Sequence, residues 1–291
     1  MKAFKLFGIF MLIIIALVAI TMLIIPHFYK DKIAVIAKTE INKHLNAEVD
    51  FGEIDLSLFR NFPNFSLGLH DLTIINHPSD TLMVSKGIYI TVGLFSVLKD
   101  ETINIKSITI EKPELFLKVF ENGTENWDVI KETDADGVDN NAESDGYKLL
   151  LNKVTVNNAS IHYEDKVSNI LFYMKELNSS LKGKLSDERA NLNLIVNSED
   201  VTILYDEIAY LQQADLRFNA AIDANLKDKI YHLKNNVLYL NGLQINFEGS
   251  VAEVDNDLNF MLVYNTPDNS FKQLLSLIPV VYKEGYEDMV T

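Results

Sequence analysis

The chain reads as a mainly β protein. An N-terminal transmembrane helix and a short amphipathic helix lead into a bent, repeat-like antiparallel β-sheet or groove with few further helices. Three observations predict this. A charge-free apolar run opens the chain, hydrophobicity alternates with period two from Val49 onward, and one apolar word recurs four times.

The run from Leu6 to Ile25 holds 20 residues without a charge. As a helix it spans about 30 Å, the thickness of a bilayer's hydrocarbon core. Lys2, Lys5 and the amino terminus precede it, which favours a cytoplasmic N-terminus, although Lys30 and Lys32 on the far side weaken the bias. A cleaved signal peptide needs small residues after its apolar core. Here Ile24, Ile25, Pro26, His27, Phe28 and Tyr29 are bulky, so residues 1–29 are expected to stay as an anchor. Across 30–47, Ile33, Ile36, Ala37, Ile41 and Leu45 fall near the spacing of an amphipathic helix. Such a helix either caps the domain or lies along the membrane surface.

Two β-segments follow, 48–131 and 148–291. Strands are predicted at Phe65–Ile75, Ile88–Phe95, Thr102–Ile110, Glu114–Phe120, Lys148–Val156, Ile161–Tyr163, Asn191–Val196, Ala214–Ile222, Asn236–Leu240 and Gln244–Val251. A late helix is expected from Phe271, Leu274, Leu275 and Ile278, ended by Pro279. Between the segments, 132–147 is acidic, without a base, and reads as a flexible linker. Asp134, Asp136 and Gly137 resemble the start of a calcium loop. Val138 and Asp139 stand where that loop needs its next ligand and glycine, so the linker reading prevails.

The recurring word places apolar residues at relative positions 0, 2, 5 and 7. It occurs as Leu67, Leu69, Leu72, Ile74; as Ile103, Ile105, Ile108, Ile110; as Leu149, Leu151, Val154, Val156; and as Leu238, Leu240, Leu243, Ile245. The odd step breaks strict alternation. Both pairs stay on one face only if a tight corner joins two strands or a β-bulge restores the face. The second and third copies remain in step from Ile105–Leu117 to Leu151–Tyr163 at a constant offset of 46. Repeated curved units of this kind suggest a stacked sheet in which each unit covers its neighbour's edge.

Composition narrows function. The 291 residues carry a net charge of −15, and the chain beyond residue 38 is more acidic still, a surface that repels nucleic acid. There is no cysteine, which excludes disulfides and thiolate metal sites. No glycine-rich phosphate loop or Gly-x-Ser-x-Gly elbow is present, and the six histidines lack metal-helix spacing. Trp127 is expected to anchor a turn onto the sheet. The sequons at Asn122 and Asn158 matter only in a glycosylating pathway. No catalytic residue, metal or cofactor is expected, and the chain reads as a non-enzyme.

In their order, several segments resemble the N-terminal region of the AsmA family of bacterial inner-membrane-anchored envelope proteins. They are the anchor, Val49–Leu58, Phe62–Leu72 with its Pro-x-x-Ser-Leu-x-Leu, Ile88–Leu98, Ile105–Leu115, the Asn122-Gly-x-x-Asn-Trp127 turn and Phe271–Pro279. The resemblance implies a long bent sheet or groove with an apolar lining, similar to bridge-like lipid-transfer proteins. It also implies a single-pass chain in the bacterial inner membrane with a periplasmic main domain, active in phospholipid transport or outer-membrane assembly and homeostasis. By that analogy the sixteen apolar residues of the four words would line the path of a phospholipid's acyl chains. The alternative is an envelope assembly scaffold that binds other proteins through β-edges and carries no lipid. Family members are usually much longer. About ten strands at ~4.8 Å each reach roughly 50 Å, too short to bridge an envelope alone.

Overall fold

The computed structural model describes residues 32, 34–36, 38–61, 64–76, 80–93, 102–129, 131, 148–185, 189–254, 257–267, 277–279 and 282. The expected anchor, the acidic segment 132–147 and the Phe271–Leu275 part of the late helix lie outside them. Among the described residues no helix is long and apolar enough to cross a membrane.

Helix α1 (32–44) leads into β1 (Ala47–Asp50) and β2 (Ile54–Asn61). Then come β3 (Asn64–Asn76), β4 (Asp80–Gly93), β5 (Thr102–Glu111) and β6 (Glu114–Val119). After the acidic segment follow β7 (Lys148–Asp165), β8 (Ile170–Leu185), β9 (Arg189–Tyr205), β10 (Ile208–Asn225), β11 (Ile230–Leu240), β12 (Leu243–Val254) and β13 (Asp257–Asn265). They form one 13-stranded sheet in the order β1-β3-β4-β5-β7-β8-β9-β10-β11-β12-β13. β2 also pairs with β3, and β6 pairs with both β4 and β7.

The sheet is mixed, which corrects the antiparallel expectation. β5 and β6 both run parallel to β7, and every other named pairing is antiparallel. The physical reason is the connection. From Phe120 to Tyr147 the chain has enough length to return to the starting end of the sheet, which a parallel neighbour requires. The offset of 46 is the parallel register itself. It pairs Thr102 with Lys148, Ile110 with Val156 and, beyond Pro113, Leu117 with Tyr163.

α1 caps the beginning of the sheet, one of the two roles anticipated for it. Ala34, Ile41 and Leu45 pack on a core of Val49, Phe51, Ile54, Leu69 and Leu72. Lys38 lies 4.7 Å from the Phe51 ring centroid and donates to the Asp50 carboxylate, which that bond holds below its ordinary pKa.

The segment after β6 is fastened to this cap. Asn126, 1% exposed, accepts from Lys118 N at 2.8 Å and donates to Phe116 O at 2.7 Å and Asp80 Oδ2 at 3.1 Å. Its own carbonyl accepts from Asn76 Nδ2 at 2.5 Å. Trp127 stands 6.0 Å from the Tyr163 ring, so it does rest on the sheet.

Two outcomes follow. Asn126→Ala leaves several buried partners unsatisfied and should lower unfolding stability by about 2–3 kcal/mol, read from the urea midpoint. Because Asp50's pKa is depressed, the Lys38 contact stabilises the fold above about pH 4 and is lost as pH falls through the lowered value. Asp50→Asn should therefore lose less stability than the parent as pH falls below about 4. The gap should stay under about 1 kcal/mol because the pair is solvent-exposed.

Candidate functional site: an apolar trough

Register turns the alternating apolar residues into rows that run across the strands. One row reads Ile54, Leu69, Ile88, Ile110, Val156, Ser179, Val196, Phe218, Leu238 and Ile245, each directly opposite the next. Two residues along each strand, a second row reads Leu56, Leu67, Ile90, Ile108, Val154, Leu181, Leu194 and Ala220. Directly opposed residues share a face, so both rows lie on the same side of the sheet.

A third row lies nearer the other ends of the strands: Val49, Ile74, Met83, Leu115, Ile161, Met174, Val201 and Ala214. A fourth, shorter row reads Leu117, Tyr163, Phe172, Ile203 and Leu211. None of the four rows contains a charged residue.

Between the first and third rows the sheet is creased. On the strands from β3 to β8, Asp71, Lys112, Asn158 and Glu176 have positive φ, between 47° and 52°. Register places them along one line: 112 and 158 are neighbours at the parallel offset, and the Ala159–Leu177 pair sets 176 beside 158. On β10 the left-handed residue is Gln213, immediately before Ala214. A left-handed residue in a strand breaks the pleat and bends the chain. Aligned in neighbouring strands, such residues bend the whole sheet about one axis.

Burial shows which way it bends. On one side of the crease Asp71, Lys86, Lys112, Asn158, Glu176, Glu199 and Gln213 are all exposed. On the other side, Leu72 is 4% exposed, Ser85 5%, Ala159 1%, Ser198 1%, Val201 2% and Ala214 0%. Among the described residues no second layer covers these positions over β7–β10, and the flanking arms of the sheet shield them. The apolar face is therefore the inside of the bend. Its floor is built from small side chains, and its walls are the half-buried aliphatic and aromatic rows.

The four words do not use one device. In the first, the left-handed Asp71 lies between Leu69 and Leu72, so the word crosses the crease. In the second, Lys106 is an extra residue between the Thr91–Ser107 and Val92–Ile105 pairs, a bulge that restores the face, and the third copy tracks it in parallel register. The fourth is the corner: Asn241 and Gly242, at φ 49° and 86°, form a two-residue hairpin that sets Leu240 against Leu243 and Leu238 against Ile245.

The sixteen residues therefore divide by setting. Leu69 and Leu72 belong to the closed core beneath α1, joined there by Leu67 and Ile74. Ile105, Ile108, Ile110, Leu151, Val154, Val156, Leu238, Leu240 and Ile245 are half-buried on the apolar face. Leu243, 3% exposed, sits at the hairpin, and Ile103 pairs with Leu149 in register. Sequence reasoning missed much of the wall: Met174, Leu177 and Leu181 on β8, Ile203, Leu211 and Phe218, and Phe247, stacked 6.0 Å from Phe218. For Ile203, Leu211 and Phe218 the alternation within β9 and β10 was the available signal.

The outer face is polar. Lys118–Asp80 at 2.6 Å, Lys175–Asp200 at 3.2 Å, Arg217–Asp215 at 3.4 Å and Lys234–Asp223 at 3.2 Å pair across or along it. No group of His, Asp and Glu able to hold a metal occurs among the described residues.

The AsmA family model matches residues 1–250. The chain belongs to the AsmA family. No curated protein and no solved structure matches this AsmA-family chain. The family match runs from residue 1 through β11 and most of β12, so it takes in the crease and the trough.

The crease offers a direct check. Ala214→Leu, at a floor position that is 0% exposed, should overpack the bend and lower stability by about 1–3 kcal/mol, measured by urea unfolding. The same change at exposed Gln212 should leave the urea midpoint within about 0.5 kcal/mol of the parent.

Proposed function

We propose that this AsmA-family chain, tethered in the bacterial inner membrane with its sheet in the periplasm, holds phospholipid acyl chains along the trough. In this reading it acts in phospholipid transport between membranes or in outer-membrane assembly and homeostasis. The supporting observation is a set of charge-free, half-exposed apolar rows on the inside of a bend, with none of the described residues packed over them from β7 to β10.

Water-exposed apolar surface of this extent is unfavourable, and an acyl chain removes it at about 0.8 kcal/mol per buried CH₂. From β3 to β12 the sheet path has nine strands, so the trough runs roughly 40 Å at ~4.8 Å per step. One leaflet's share of a ~30 Å hydrocarbon core is about 15 Å, so a chain fits with room to move along the axis. The head group stays at the open mouth in water. Movement along repeated Leu, Ile and Val rows needs no covalent step, no cofactor and no catalytic residue.

A photo-reactive residue tests this on the full chain in its membrane. Placed at Met174 inside the bend, it should capture phospholipid; placed at its neighbour Tyr173 on the outer face, it should not. Equal labelling at both positions, or none at Met174 in a folded protein, sinks the proposal and favours the lipid-free scaffold.

A further inference from the structure

The two edges of the sheet are treated differently. At the β1 edge, Asn42 Nδ2 donates to Val49 O at 2.9 Å, and Asn42 Oδ1 accepts from Val49 N at 2.6 Å. A helix side chain thus occupies the main-chain groups that another strand would use. Asn46 N is taken as well, by Val129 O at 2.7 Å.

At the opposite edge, β13 pairs only with β12 among the described residues. Its register runs through nine successive pairs, from Val254–Asp257 to Asn246–Asn265, without a shift. Every one of its residues is exposed. Phe260 and Tyr264, on the trough side, are 60% and 74% exposed; Met261 and Val263, on the outer side, are 75% and 69% exposed. The strand has no lysine, no proline and no bulge, which are the features that keep a bare edge from pairing.

We propose that β13 is a pairing edge and that its occupant is β13 of a second copy, antiparallel about a two-fold axis at Met261. The sequence is self-complementary in that register. Met261 meets Met261 of the second copy, Phe260 meets Leu262, Leu258 meets Tyr264 and Asn259 meets Val263. The strand's one charge, Asp257, meets Asn265, whose amide can donate to it, so no like charges oppose. A parallel in-register pairing would instead stack Asp257 on Asp257.

The axis is perpendicular to the sheet, so both copies keep their apolar faces on the same side. Phe260 and Leu262 then abut Leu262 and Phe260 of the second copy, and the two troughs become one of double length. The pairing itself requires only the edge and stands whether or not the trough carries lipid. Each copy carries a net charge of −15, so added salt should favour association.

Because the chain has no cysteine, single introduced cysteines report the register in the full detergent-solubilised protein. Met261→Cys should cross-link to a dimer under oxidation or with a short bismaleimide. Asn259→Cys alone should not, whereas Asn259→Cys mixed with Val263→Cys should. Met261→Lys sets two ammonium groups face to face and should halve the mass seen by light scattering while the circular dichroism spectrum is retained. As a second disruption, Gly249→Ala drives a Cβ to 1.9 Å from Met261 O, displacing β13 from β12, and should also abolish the dimer. A folded parent that is monomeric at every concentration and salt overturns the proposal. So do Asn259→Cys cross-links as efficient as those of Met261→Cys, or a different protein's strand on the edge.

Discussion

The structure depends on how a single-layered sheet shelters an apolar face that, among the described residues, lacks a second layer over most of its length. Ordinary sheets solve this by stacking on a second sheet or on helices. Among the described residues the first strands receive such a cover, from α1, whose Ala34, Ile41 and Leu45 close the core around Phe51 and Leu72. Further along, the face is sheltered by bending. The aligned left-handed residues from Asp71 to Glu176 let long strands turn without breaking the ladder, and the arms they create screen the floor. The small side chains there, Ser85, Ala159, Ser198 and Ala214, are a requirement of the same bend, since larger ones would meet across it.

Burial therefore falls into an unusual pattern for a chain of this size. Among the described residues, the largest fully buried side chains are Phe51, Asn126, Asn236 and Ser198, three of them polar. The leucines and isoleucines of the apolar rows over β7–β11 stop at half-burial because they are walls instead of a core. Cohesion in that region rests on main-chain ladders and on pairs within rows, each contributing about 0.2–1 kcal/mol over many strands. The outer face adds ion pairs whose partners are largely solvent-exposed and contribute little individually.

Much of this was legible in the sequence. Strand positions from β3 to β7 and from β9 to β12 followed from alternation, and the offset of 46 between Ile105–Leu117 and Leu151–Tyr163 was the parallel register in disguise. Its direction was hidden because apolar patterning carries no sense of chain polarity. β8 was missed because its second half, Lys175 to Lys184, interrupts alternation with polar residues, and β13 because Phe260 to Tyr264 is apolar without a break. The crease was invisible for a different reason. Of its positive-φ residues only Asn158 and Asp71 are types that favour that conformation; Lys112 and Glu176 are held there by their neighbours in the sheet. The functional residues of the trough are thus a property of register more than of any local motif.

The parallel joint at β7 also divides the molecule by the order in which it can assemble. From β7 to β12 each strand is followed by its own ladder partner across a short connection, so those pairings close small loops and form early. β5 and β6 meet β7 only after the chain has travelled from Phe120 to Tyr147, which makes that contact the one with the largest entropy of closure in the sheet. The trough is continuous only once this step is complete. Until then the chain holds two half-troughs with bare edges at β5–β6 and β7, and for that interval it is most open to mispairing with a neighbouring chain.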